Sequence, residues 1–220
     1  MSLRDAMDQA RNAADNLPAT VDTSGSNVPV QYGTGLDDFL SGGMQVDKWI
    51  QLKEDGIRLD RDERSYIESF EADLDLDSVQ LFVGLRAEFA GNKVEYRQST
   101  DGGKTTTRGE NFSAILSQWK GSSVKPCDPY RGANMVLTLT EDVDQGKTTI
   151  PTGTRLGYTT AVTGFAPFQS LLKQLVADGK VNDVGGGRLS GGTVRVKLTH
   201  ERRENNSGQG YGVILFEAID

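Results

Sequence analysis

The chain has 220 residues, 24 basic side chains against 31 acidic ones, a single His and a formal charge of −7. One cysteine, Cys127, excludes an intrachain disulfide framework and a thiolate zinc site, and His200 alone excludes a His-rich metal centre. No apolar run approaches the ~18–20 residues of a membrane span, and the opening MSLRDAMDQARNAADN lacks the apolar core of a secretory signal. The expectation is a soluble protein of a reducing compartment, the cytoplasm, with no cofactor.

Residues 1–17 read as a short helix, with Leu3, Met7, Ala10, Ala14 and Leu17 near one face and Pro18 as its stop. A lone helix of this length is marginal in water, so it reads as a flexible arm, suited to a partner or a second copy of the chain. Residues 19–45 mix Gly, Ser, Thr and Asp and read as an irregular lead-in. The main domain is expected over 46–220.

From Val46 the texture is that of strands. Asp55-Gly56 marks a hairpin inside WIQLKEDGIRLDRD. From Phe70 to Val79, Ala72, Leu74 and Leu76 alternate with Asp73, Asp75 and Asp77; Leu81, Val83, Leu85, Ala87 and Phe89 share one side of a next strand. Gly91-Asn92 turns the chain into KVEYRQST, and this alternation predicts a half-buried antiparallel sheet. Residues 99–109 form a polar loop, and Phe112, Ile115, Leu116 and Trp119 have the spacing of a helix over 110–120. Residues 121–132 are irregular, Ala133–Thr140 is a strand, 141–157 a loop with a turn, and Tyr158–Thr163 a strand. A second helix over 166–178 has Pro167 in its first turn, Phe168, Leu171, Leu172, Leu175 and Val176 as its stripe, and Gly179 at its end. VGGGRLSGG reads as a loop, and the chain closes with a long hairpin, Thr193–Glu201 and Tyr211–Ile219. The inward set is Leu74, Leu76, Leu81, Val83, Leu85, Leu137, Leu139, Leu171, Leu175, Val194, Val196 and Leu198.

Most chemical motifs fail on spacing. Two Gly-Lys-Thr triplets, at 103–105 and 146–148, lack the upstream glycine of a phosphate loop, where Gln98 and Glu141 stand instead. Asp73-x-Asp75-x-Asp77 starts like a calcium loop, but Ser78 and Gly84 occupy the positions of the required Gly and Glu. The glycine-rich stretch 185–192 follows a helix and precedes a strand, the reverse of a dinucleotide fold. No nucleophile pair assembles around His200 from spacing, so an enzyme is not expected.

Charge is more informative. Residues 47–85 carry 5 basic and 11 acidic side chains, whereas 86–132 carry 8 basic and 5 acidic. Within this basic middle, cations and rings interleave: Lys93, Tyr96, Arg97, Lys104, Arg108, Trp119, Lys120, Lys125, Tyr130 and Arg131. In the last hairpin Arg195 and Lys197 share a strand face, and Arg202 and Arg203 extend it into the loop. Single-stranded nucleic acid is held by this chemistry, cations for phosphates and flat rings for bases. Trp119 is the weakest stacking candidate, because its helical spacing points it at a core.

The order of segments resembles a family. WIQLKEDG, EADLDLDSV with QLFVGLRAEF, NKVEYRQST, and a polar loop before ENFSAILSQW come first; YRGANMVLTL, TGTRLGYTTAVTGFAPFQSLLKQL and VRVKLTHERRENNSGQGYGVILFEAI follow. Together they resemble the phage-type single-stranded DNA-binding proteins. The resemblance implies a mainly β fold, an antiparallel OB-like barrel with one or two helices. It implies sequence-independent binding of single-stranded DNA in phage-type replication or recombination, with replication or recombination proteins as further partners. The second helix falls late for the simplest OB order, and no acidic tail ends the sequence. The rival reading is a virion component of the tail, connector or decoration kind, with the arm and the glycine-rich loops making subunit contacts.

Overall fold

The computed structural model describes residues 45–160, 162–205 and 208–219. The expected N-terminal arm and lead-in therefore lie, except for Gln45, outside the described residues.

The protein is mainly β and largely antiparallel. Strands β1 (Lys48–Trp49), β2 (Gln51–Lys53) and β3 (Gly56–Arg58) precede a long β4 (Ser69–Phe89) and its hairpin partner β5 (Lys93–Ser99). Helix α1 (Phe112–Ser122) leads to β6 (Tyr130–Leu139), a small hairpin β7 (Val143–Gln145) and β8 (Thr148–Ile150), and β9 (Arg155–Thr159). Helix α2 (Phe165–Ala177) is followed by β10 (Asn182–Gly185), β11 (Arg188–Ser190), and the closing hairpin β12 (Thr193–Glu204) and β13 (Gly210–Ala218). Both helices fall where the apolar spacing places them. Asn111 caps α1, its Oδ1 accepting from the Ala114 N–H at 2.9 Å. Gly179, at φ 67°, ends α2 with the Lys180 N–H bonded back to the Leu175 carbonyl. No helix among the described residues is long and apolar enough to cross a membrane.

The main sheet runs β1-β9-β6-β4-β11-β10, with β12 and β5 also pairing β4, and β13 pairing β12. Among the described residues it is not a closed barrel, since its outermost strands do not pair with one another. Two loop assignments are corrected. The segment read as a loop at 141–157 contains the β7–β8 hairpin, and the glycine-rich stretch contributes the β10–β11 hairpin. Both are too short and polar to show an apolar alternation. The first is pinned by Gln145, fully buried, whose side chain accepts from the N–H groups of Leu59 and Asp60 and donates to the carbonyls of Asp60 and Ser65.

The two strands expected around residue 79 are one strand, β4, interrupted by a bulge. Asp75 opposes Val136 on β6 and Gln80 opposes Asn134, so β4 inserts three extra residues there. Asp75 Oδ1 accepts from the N–H groups of Asp77 and Ser78, and the Ser78 hydroxyl donates to the Asp75 carbonyl and accepts from the Val136 N–H. An odd insertion reverses which parity of residue faces the core. Ala72 and Leu74 face inward before the bulge; Leu85 and Ala87 face inward after it.

The inward face carries two clusters. The main core joins Leu74, Leu137, Leu156, Leu198 and Ile214 to Phe168, Leu171 and Leu175 of α2. The small core joins Leu85 and Ala87 to Phe112 and Trp119 of α1 and to Cys127. Of the expected inward set, Leu81, Val83 and Val194 are half-buried against these clusters and the rest are buried.

Candidate nucleic-acid interface

The opposite, outer face of the sheet follows from the same parity. On β6 the inward residues are Ala133, Met135 and Leu137, so Tyr130, Gly132, Asn134 and Val136 point outward. Their register partners after the bulge are Gln80, Phe82 and Gly84 on β4, continued by Arg86 and Glu88. Opposite these on β5 stand Gln98, Tyr96 and Val94. On β9, Arg155, Gly157 and Thr159 share the face, with Trp49 of β1 opposite Gly157. Among the described residues neither helix covers it, because α1 and α2 pack on the inward clusters.

Three glycines on this face lie under three rings. A Cβ on Gly84 would meet the Tyr130 ring at 2.5 Å, one on Gly157 the Trp49 ring at 2.9 Å, and one on Gly132 would run into the Phe82 ring. None needs a left-handed backbone, so space is what selects glycine here. The Phe82 and Tyr130 rings meet edge to face at 6.1 Å. Phe82 is buried and acts as a buttress, while Tyr130 and Tyr96 are half-buried. Arg86 Nε donates to the Tyr96 hydroxyl at 3.3 Å, and Arg86 also faces Glu88 at 3.6 Å. Lys125 Nζ reaches Glu88 at 2.8 Å, and this ammonium, then Arg86, hold the Glu88 carboxyl below its ordinary range. A polar row crosses the middle of the face: Asn134 Nδ2 donates to Gln98 Oε1 at 3.5 Å, and Thr159 Oγ1 donates to Asn134 Oδ1 at 2.8 Å.

The sequence-predicted residues do not form one surface. Tyr96 and Tyr130 stand on this outer face, with Lys125 at its rim. Lys93, Arg97 and Arg131 point the other way, in register with Phe89, Leu85 and Val83 on the inward face. Trp119 is corrected outright. It is 4% exposed, packs edge to face on Phe89 at 5.9 Å, and cannot receive a base. Arg97 supports that core instead of offering a free cation. Its guanidinium lies 5.2 Å above the Trp119 ring, and its Nε donates to Glu110 at 2.7 Å, which depresses the Glu110 pKa. Lys93 pairs with Glu95 at 2.7 Å and Lys120 with Asp128 at 3.4 Å. Lys104 and Arg108 lie on the exposed loop after β5, a loop nucleated by Asp101, whose carboxylate accepts from the Ser99 hydroxyl and the N–H groups of Lys104 and Thr105.

The last hairpin sits at the other half of the face. Arg195 pairs there with Asp73 at 2.9 Å, and Lys197 stands between Glu71 and Glu217 in register. Arg203 pairs with Glu201 at 2.7 Å; Arg202 lies on the inward side of β12 and pairs with Glu54 at 2.7 Å. Trp49, Phe82, Arg86, Gln98, Asn134 and Arg155 were not singled out from the sequence. For Trp49 and Phe82 the signal is a glycine inside β9 and β6, a place where another group approaches the backbone closely; the other four carry no such mark.

Comparison with known protein families, with curated proteins and with solved structures finds no match to this chain.

Proposed function

We propose that the protein binds single-stranded DNA without sequence preference on the Tyr96–Tyr130 end of the outer face. The observation that carries this reading is a pair of half-buried tyrosines set diagonally across β4 on a helix-free face, one seated on Gly84 and the other hydrogen-bonded to Arg86. Every base has a π-face, so stacking on such rings tolerates any sequence. Arg86 and Lys125 supply the cations, both held beside Glu88. Two cations share the one Glu88 carboxylate, which leaves a positive charge there for a phosphate, whereas Arg195 and Lys197 sit among Glu71, Asp73 and Glu217. Gln98 and Asn134 offer amides to the base edges between the rings. The overall charge of −7 does not oppose this, because charges beyond about 10 Å are screened. The OB-like architecture implied by the resemblance enters this proposal as an open sheet presenting rings from neighbouring strands. The setting that goes with it is phage-type replication or recombination in the host cytoplasm, with proteins of those processes as further partners.

The test is a mobility shift with a labelled oligo-dT of some tens of nucleotides at low and at high salt. The expected result is binding at low salt that weakens with salt, the log–log slope growing by roughly 0.7 for each phosphate contact. No shift at low salt overturns the proposal and leaves the virion-component reading in its place.

A further inference from the structure

We infer that Trp49 and Arg155 form a second station for the same strand, so that the bound nucleic acid crosses β6 and β9 toward β1 and does not follow the last hairpin. This rests on the function proposed above. Trp49 is half-buried, in outward register, with its ring over Gly157. Arg155 is exposed and stands two residues before Gly157 on the same face. Its side chain has no carboxylate within ion-pair distance among the described residues. The nearby Asp47 carboxylate accepts from the Arg155 backbone N–H at 2.8 Å. A ring beside an unneutralised guanidinium repeats the chemistry of the Tyr96–Arg86 end, base stacking next to phosphate binding.

The two stations are joined by surface of fitting character. Val136, register partner of Gly157, is buried on the outer side next to the Trp49 position, and the Gln98–Asn134–Thr159 row lies between the ends. Tyr130 and Val136 are roughly 20 Å apart along β6, and β6 and β1 are about 10 Å apart across β9. A strand engaging both stations therefore spans several nucleotides, within the ~4–16 that small single-strand-binding folds occupy. The other half of the face, where Glu71 and Asp73 meet Arg195 and Lys197, flanks this route, and its cations are already matched by carboxylates, so it offers a strand taking the hairpin little.

Trp49 and Trp119 are the two tryptophans, and Trp119 is buried in the small core, so replacing Trp119 by Phe leaves Trp49 as the one tryptophan emitter. The experiment is a titration of the full chain carrying Trp119→Phe with oligo-dT, reading Trp emission and mobility shift together. The expected result is quenching that saturates with the shift. If Trp119→Phe does not fold, the acrylamide-accessible emission of the wild type replaces it, and oligo-dT should protect that fraction. Trp49→Leu, which keeps an apolar cover over Gly157, should hold the melting temperature but weaken binding roughly five- to 150-fold at constant salt slope. Trp49→Phe should restore most of the loss, and Arg155→Ala should lower the slope by roughly 0.7. A shift without any change in Trp49 emission, and with Trp49→Leu binding like wild type, overturns the second station and leaves the proposed function standing. No shift at all overturns the proposed function itself.

Discussion

The two halves of the outer face share β4 and β6 yet carry opposite chemistry. Before the bulge, β4 presents Glu71, Asp73 and Asp75, met by Arg195 and Lys197 of β12. After it, β4 presents Phe82, Gly84 and Arg86, met by Tyr130 of β6 and Tyr96 of β5. The first half is a neutralised charge lattice of a kind common on solvated sheets. The second is a ring-bearing surface seated on glycines. The parity switch at the bulge makes this difference: with no extra residues, Leu81, Val83 and Leu85 would face outward and Arg86 inward. Local polar bonds from Asp75 and Ser78 thus decide which side chains a ligand can meet.

The largest expected effect tests what backs the ring-bearing half. Trp119→Ala should cost about 3–5 kcal/mol of stability, read by urea denaturation, because it empties the small core and removes the ring under the Arg97 guanidinium. Cys127 reports the same event. Buried beside Trp119, with its thiol pKa raised by that burial, it should react slowly with a thiol reagent in the native protein and quickly in this variant. Fast labelling of the wild type would show that the small core opens independently of the main one.

The next test sets one half against the other. Tyr96→Ala and Tyr130→Ala should each weaken oligo-dT binding by about 1–3 kcal/mol without changing the salt slope. Arg195→Ala with Lys197→Ala should leave affinity and slope unchanged, since these cations already sit among Asp73, Glu71 and Glu217. A flattened slope in the double variant would move the phosphate contacts to the last hairpin.

Ser78→Ala addresses the switch itself. It removes the hydroxyl that bonds both the Asp75 carbonyl and the Val136 N–H, and should lower stability by about 1 kcal/mol in thermal melts. An unchanged melting temperature would mean that backbone pairing alone holds the bulge. The smallest effect is one of pH. Glu110, hydrogen-bonded by Arg97, titrates below its ordinary 4.5, so its contribution is complete above that value and is lost as pH falls through its lowered pKa. Glu110→Gln should therefore flatten the melting-temperature profile below about pH 4.5, leaving the neutral and alkaline side parallel to wild type.

Elements with a strong local signature are legible in the sequence. Period-2 apolar residues marked β4, β5, β6 and β12, and the 3.6-residue spacing of Phe112, Ile115 and Trp119 and of Phe168, Leu171 and Leu175 marked both helices, because burial of one face imposes these periods. Gly91 and Asn92, at φ 78° and 61°, formed the β4–β5 turn that their tolerance of the left-handed region predicts. Tyr96 and Tyr130 were legible as candidates from composition alone. Tertiary structure decided the rest. It determined that β4 is one strand with a parity switch, because the insertion of three residues is defined only against β6. It paired Lys93, Arg97, Lys120, Lys125, Arg195, Arg202 and Arg203 with carboxylates, several remote in sequence, such as Asp73 for Arg195 and Glu54 for Arg202. It brought Trp49 over Gly157 through a parallel pairing between segments some hundred residues apart. Charge along a chain is a local quantity, whereas a binding surface depends on which side of the sheet each cation faces and which carboxylate folding brings beside it.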